Sequence, residues 1–235
     1  MTTVSAIVSA YYAEPYLTGR LQNLMAQKPQ PEIIVICKAD SAEHKIAQVF
    51  EGLKIITTPD IPTIYAAWNI GIQAATGEYI TNANSDDRLY PNALAKLAEA
   101  LDKNKKYSVA YSNVDVVEEI GGAPVTRHEW AEGGIEEFML GCFIGPMPVW
   151  RKRLHDKHGY FDAEMHSAGD YEFWMRLAKA GEKFFHLREV CGAYLKRPDS
   201  AERRFKLRSV WEQARARGRY RAGVGIWQTP QVMTD

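Results

Sequence analysis

Four short apolar runs alternate with amphipathic stretches through the first third of the chain, and few architectures satisfy that pattern. Val4 to Ser9, Ile33 to Cys37, Leu53 to Thr57 and Glu78 to Thr81 read as strands, each too short for a helix. Pro15 suits the first turn of a helix, and Leu17, Leu21, Leu24 and Met25 supply that helix with an apolar face. A second helix is expected from about Ala42 to Phe50. A third opens at Pro62, carries Ile64, Ala67, Trp68, Gly71, Ile72 and Ala75 at helical spacing, and stops at Gly77. Strands and helices alternating across short loops imply a parallel sheet covered on both faces. The fold class is therefore α/β, with a Rossmann-like, mostly parallel central sheet flanked by helices. In such sheets ligands bind beyond the carboxyl ends of the strands. Here those ends are Ser9–Glu14, Cys37–Ser41 and Asn82–Asp87.

The pattern changes after a helix from Pro91 to about Leu101. Ser108 to Val117 reads as a strand before a turn at Gly121–Gly122. Further strands are expected at Met147–Trp150, Lys183–Leu187 and Ala193–Lys196, with a helix at Gly169–Ala180 among them. No linker rich in Pro, Gly or Ser separates the halves, so 1–198 reads as one domain. Residues 199–235 read as a basic C-terminal helix and tail, the helix running from about Asp199 to Arg217 in a peripheral position.

Charge and cysteine content remove some functions. Lys and Arg balance Asp and Glu at 29 each, so global charge selects no nucleic acid. Ten Lys and Arg nevertheless cluster between Lys196 and Arg221, Arg203 and Arg204 among them, against three acids. Such a stretch is suited to an anionic acceptor or to membrane headgroups, or is a solvated helix face. Three scattered cysteines, Cys37, Cys142 and Cys191, make neither a disulfide framework nor zinc-like spacing, which favours a reducing compartment. The N-terminus reads as a first strand rather than a leader, and no run approaches a membrane span. A cytoplasmic protein, with peripheral contact at the inner membrane face through its basic helix, is the expectation.

Two segments could carry chemistry. Asn84-Ser85-Asp86-Asp87 follows the fourth strand, where adjacent carboxylates attract a hard divalent cation or simply make an acidic turn. Asp170 sits near the start of a helix in Ser167-Ala-Gly-Asp. It could take a proton from an acceptor hydroxyl, or pair with Ser167 in a capping box. Tyr11, Tyr12 and Glu14 could hold a base and ribose, or pack. Trp68 belongs to the apolar stripe of its helix, while Asn69 lies off it and is freer to face a ligand. His128, His155, His158, His166 and His186 make no metal-ligand spacing on one element.

Taken together, four segments resemble inverting glycosyltransferase family 2, whose fold is called GT-A. They are Val4–Leu17, Ala66–Ile72 with Ala75–Ile80, Asn84–Asp87, and Gly169–Leu177 ending at Gly181. The resemblance runs from about Val4 to Ser200. It implies a nucleotide-sugar half at about 1–103 and a smaller acceptor-side mixed β/α half at about 104–198. It implies transfer from a nucleotide-diphosphosugar, a UDP-sugar foremost, to a saccharide or lipid-linked hydroxyl, with inversion and with Mn²⁺ or Mg²⁺. By resemblance Asp86 is the metal ligand and Asp170 the general base. Ala10, Tyr11, Tyr12, Glu14, Asp40, Asn69, Asn84 and Ser85 are the donor-binding candidates. Three positions depart from the family pattern. Asn84 stands for the first Asp of the metal motif, and Trp68 for an Arg. Cys37-Lys38 replaces an Asp pair that reads the base, so either Asp40 substitutes for it or the donor base is not uracil. A non-catalytic sugar-nucleotide-binding protein or subunit is the alternative function.

Overall fold

The computed structural model describes residues 3–60, 62–197 and 206–221. Its strands are β1 (Val4–Ala10), β2 (Glu32–Lys38), β3 (Lys54–Thr58), β4 (Tyr79–Asn82), β5 (Arg88–Leu89), β6 (Val109–Val117), β7 (Thr126–His128), β8 (Val149–Arg151) and β9 (Phe184–Leu195). The helices are α1 (Glu14–Met25), α2 (Ala42–Gln48), α3 (Ile64–Ala74), α4 (Ala93–Lys103), α5 (Ile135–Leu140), α6 (Leu154–His158), α7 (Gly169–Lys179) and α8 (Lys206–Tyr220).

Among the described residues the strands form one sheet in the order β3-β2-β1-β4-β8-β6-β9-β5, with β7 beside β6. The first four are parallel, as the alternation of apolar runs requires. Pairing turns antiparallel at β4–β8 and β8–β6, so the sheet continues without a break into the second half.

Side-chain alternation along β1 and β2 divides the core. Ala6, Val8, Ala10, Ile33, Val35 and Cys37 face one layer with Leu17, Leu21 and Leu24 of α1 and Leu94, Leu97 and Leu101 of α4. Ile7, Ile34 and Ile36 face the other, with Tyr65, Trp68 and Ile72 of α3 and Tyr171, Phe173 and Trp174 of α7. Helix α3 lies close on the sheet: a Cβ at Gly71 would come within 2.4 Å of Ile7 Cγ2 and 2.9 Å of Ile36 Cδ1.

Several boundaries differ from expectation for local reasons. Helix α3 starts after Pro62, because Thr63 caps it with Oγ1 accepting from Ala66 N–H at 3.1 Å. It ends at Ala74, with Ala75 already extended and Gly77 beyond. Helix α4 likewise starts after Pro91, the left-handed Asn92 (φ 63°) standing before it. The two strands expected at 183–187 and 193–196 are one strand, β9. Its register against β6 jumps from Ser112–Leu187 to Asn113–Val190, which turns Arg188 and Glu189 out to solvent. Those two charges interrupt the apolar run without ending the strand. The last helix, α8, buries Ser209, Glu212 and Ala216 along its inner side and leaves its other side exposed. Arg203 and Arg204 lie outside the described residues.

Gly71→Ala tests the seating of α3. The added methyl meets branched core side chains on two central strands, so a loss of about 1–3 kcal/mol is expected. Urea denaturation of the two proteins measures it.

Candidate active site

The parallel strands all end at one edge, and the chain gathers its polar groups there. β1 ends at Ala10, beside Cys37 at the end of β2, and β4 runs into the 84–87 loop. The turn out of β1 is held at both sides. Tyr11 Oη lies 2.8 Å from Thr58 Oγ1 at the end of β3, and Ala13 N–H donates to the buried carboxylate of Glu43 at 2.9 Å. Burial pushes the Tyr11 phenol up, so the ring presents a neutral hydroxyl. Between these anchors Tyr12 takes a left-handed conformation (φ 55°) and is 77% exposed. Asp40 is also left-handed (φ 58°) and exposed, its N–H donating to His44 Nδ1 at 3.2 Å. Glu14 is exposed in the first turn of α1. Of the donor candidates, Ala10, Tyr11, Tyr12, Glu14 and Asp40 thus share one edge.

The 84–88 loop is fastened by cations. Arg88 Nη1 donates to the carbonyls of Ser85 and Asp87, both at 2.8 Å, and Nη2 reaches Tyr16 O at 3.2 Å. Buried Arg20 donates to Asp87 O at 3.2 Å. Asp87 is buried, and its carboxylate accepts from Asn84 Nδ2 at 3.1 Å and from Leu195 N–H at 3.2 Å. Burial, and after it the neighbouring Asp86 carboxylate, push the Asp87 carboxyl up to about 7. Asp87 therefore ties β9 to the loop, and the Asn84 amide group serves that tie.

Asp86 is the carboxylate that remains half-exposed, and its Oδ2 lies 3.0 Å from Arg197 Nε just beyond β9. Arg197 in turn stacks over the Tyr16 ring at 4.9 Å. Among the described residues no three His, Cys, Asp or Glu side chains converge on a metal position. One protein carboxylate fits a Mg²⁺ or Mn²⁺ that takes its other ligands from phosphate and water, and does not fit a cage of protein ligands. Several histidine rings are engaged elsewhere. In His155, for example, Nε2 accepts from Trp150 Nε1 at 2.9 Å, and burial lowers the ring to about 4.

Asp170 reaches the same edge from the other half. It is half-buried in the first turn of α7, and Tyr65 Oη donates to its Oδ1 at 3.0 Å. Burial, and then the charge on Asp170, hold the Tyr65 phenol well above its ordinary value, so Tyr65 donates and does not ionise. A Cβ at Gly169 would lie 2.7 Å from the Tyr65 ring, which explains a glycine beside the acid. Two more contacts clamp α3 to the segment before α7. Thr63 Oγ1 donates to Ala163 O at 2.6 Å. Asn69 donates to Phe161 O at 2.9 Å and accepts from Phe161 N–H at 3.0 Å. Asn69 is thereby spent inside the fold, in place of facing a ligand. Trp68 is core, as its spacing implied, packed edge-on to Phe161 at 5.4 Å.

The capping box expected of Ser167 and Asp170 does not form. The N-cap is Ala168, without a side-chain cap. The Glu212 carboxylate of α8 takes that place, accepting from the N–H groups of His166, Ser167 and Ala168 at 2.9–3.2 Å. Glu172, two residues past Asp170, is buried and bonded to Arg176 at 2.7 Å and to Tyr220 at 2.5 Å. Sequence reasoning missed Tyr65, Glu212 and Arg197. Tyr65 had a signal, an aromatic hydroxyl in the first turn after a strand end; the other two had none.

Comparison with known proteins adds an independent line. A profile of the family described as Glycosyl transferase family 2 matches residues 5–163. The uncharacterized glycosyltransferase YwdF of Bacillus subtilis is 28% identical over 185 residues, 75% of this chain and 68% of that protein. The chondroitin synthase of Pasteurella multocida is 23% identical over 80% of this chain but only 20% of its own length. S. aureus TarS in complex with UDP-GlcNAc has a TM-score of 0.70 at 22% identity, covering 85% of this chain and 60% of that one. The mannosyltransferase PcManGT from Pyrobaculum calidifontis, in complex with GDP-Man and Mn²⁺, has a TM-score of 0.70 at 16% identity. It covers 96% of this chain and 66% of its own. The fold is therefore that of the GT-A glycosyltransferases, and the chain spans about a fifth to two thirds of these relatives.

Glu212 offers a test of how the 166–170 segment is held. Removing the carboxylate leaves three N–H groups without their acceptor, so Glu212→Ala is expected to lose about 2–3 kcal/mol, and Glu212→Gln less. Burial pushes this carboxyl up, but the three N–H groups and Arg208 outweigh it and leave it below its ordinary 4.5. Its stabilisation is complete above that value and lost as pH falls through the lower folded value. Denaturation from neutral to acid pH should show a constant gap between parent and Glu212→Gln that closes only below about 4.5.

Proposed function

The chain belongs to glycosyl transferase family 2, and on that premise we propose that it moves a hexosyl group from a nucleotide-diphosphosugar to a hydroxyl acceptor, with inversion at the anomeric carbon. The observation that carries this reading is the half-buried Asp170 carboxylate, held by Tyr65 at the edge where β1, β2 and β4 end. A hydroxyl is nearly unionised at neutral pH, so a single displacement needs a base opposite the leaving diphosphate. Asp170 accepts the acceptor's proton as the new bond to the anomeric carbon forms, and the diphosphate leaves with the old bond's electron pair.

The donor side is proposed to use Tyr12, Glu14 and Asp40 with the backbone at Ala10 and the Tyr11 hydroxyl for the nucleoside. Ser85 and Asn84 stand next to the diphosphate. Complexes of TarS with UDP-GlcNAc and of PcManGT with GDP-Man support a nucleoside diphosphate sugar as donor, and we propose a UDP-sugar. The acceptor is proposed to be a saccharide or lipid-linked hydroxyl. Bound Mn²⁺ or Mg²⁺ supplies charge neutralisation at the leaving diphosphate, with Asp86 as its protein ligand. Arg197 holds Asp86 oriented until then. The same pair, together with the uncharged Asn84, supports a second reading, in which the chain binds a sugar nucleotide without transferring it. Turnover of a nucleotide-sugar panel with and without Mn²⁺ separates the two.

Two variants test the assignment. Asp170→Asn is expected to fold and to bind donor like the parent while losing at least about 10²-fold in transfer. Near-parental transfer in that variant would remove Asp170 as the base. Asp86→Ala should make nucleotide-sugar affinity, read by calorimetry, indifferent to Mn²⁺. An affinity already indifferent in the parent would remove the metal from the proposal.

A further inference from the structure

Helix α8 has two unlike faces. Ser209, Glu212 and Ala216 are buried on the inner one, against the α7 region. On the other, Leu207 is 89% exposed, Val210 57% and Trp211 59%. At 100° per residue these three fall with the exposed Ala214 and Gly218 inside an arc of about 100°. Other large exposed apolar residues, such as Val49, Val125 and Leu140, are scattered singly over other parts of the chain. Exposed cations rim the stripe, Arg215 on one side and Lys206 on the other, while Arg208 pairs with Glu212 at 3.1 Å and Arg217 leans over the Tyr171 ring at 6.0 Å. Arg215 leans over the Trp211 ring, its guanidinium 5.5 Å from the centroid. The helix has one acid, Glu212, and it points inward.

An apolar stripe with Trp and Leu at its centre, cations along both rims and no acid between them matches an interfacial surface. Its charge complements phosphate headgroups of anionic lipid, and its indole suits the headgroup boundary. A second copy is a poor occupant, because apposing two such faces brings like-charged rims together. No helix among the described residues is long and apolar enough to cross a membrane, so contact of this kind would lie on a surface. We propose that the outer face of α8 seats on an anionic bilayer, with Leu207, Val210 and Trp211 entering the headgroup layer and Lys206 and Arg215 binding lipid phosphate. The claim rests on this helix alone and does not depend on the transfer reaction.

The test is flotation of the full chain with vesicles of phosphatidylcholine, with and without phosphatidylglycerol. The parent should float only with phosphatidylglycerol and be released by salt. Leu207→Ser combined with Trp211→Ser should weaken binding at least about tenfold, as should Lys206→Gln combined with Arg215→Gln. All four side chains are exposed, so melting temperatures should stay at the parental value. Quenching by brominated lipid gives a second readout that needs only a conservative change. It should be strong in the parent and largely lost in Trp211→Phe. The proposal is overturned if the parent ignores anionic vesicles at low salt, or if the apolar double variant binds like the parent. It is equally overturned if sedimentation shows a dimer that the double variant dissolves while no vesicle binding is seen.

Discussion

The relation between the two halves of the site rests on helix α3 and its close contact with the sheet. Gly71 lets the helix settle onto Ile7 and Ile36, which fixes its height above the ends of β1 and β2. From that seat its first turns reach across to the second half, Thr63 to Ala163, Asn69 to Phe161 and Tyr65 to Asp170. The same element therefore registers the strand edge and the carboxylate, and an error in one would be carried into the other. Hydrogen bonds of this kind contribute modestly one by one, but they share buried surroundings with the Trp68–Phe161 contact.

The loop after β4 is ordered by a different device. Arg20 and Arg88 bind its carbonyls from the α1 side, and Asp87 binds the backbone of β9. Burying a guanidinium and a carboxyl is costly unless each finds partners. Here Asp87 and Arg20 Nη1 do, while Arg20 Nε has no partner among the described residues, and the raised Asp87 carboxyl records what burial still costs. Asp86 is the group left over from this arrangement, half-exposed and facing Arg197.

How legible these features were depends on the range of the interactions that make them. The first four strands and their helices follow from local periodicity, because each is a short uninterrupted run, buried along nearly its whole length in β1, β2 and β4 and half-buried in the edge strand β3. Strand β9 was read as two because outward-turned Arg188 and Glu189 break its run, and only pairing with β6 carries the strand across. Asn69 was expected to face a ligand since it lies off an apolar stripe. It instead meets backbone 92 positions away, which no window on the sequence reveals. The start of α7 shows the same limit. Ser167 and Asp170 have the spacing of a cap, but a carboxylate from α8 takes the N–H groups first. Spacing near a helix start reports local options, and tertiary partners choose among them.

Thr63 and Asn69 hold the 161–163 segment by its main chain, touching the carbonyls of Phe161 and Ala163 and the N–H of Phe161. Main-chain atoms are the same in every residue except for the proline N–H and the freedom of glycine. Ala163 can therefore be replaced by many residues while the carboxylate of α7 stays where it is, whereas Asp162 is also held through its side chain, by Glu164 N–H at 3.1 Å and Arg219 at 3.6 Å. The clamp makes position 163 a tolerant one, at which a lineage can alter the neighbouring surface without first moving the Asp170 carboxylate.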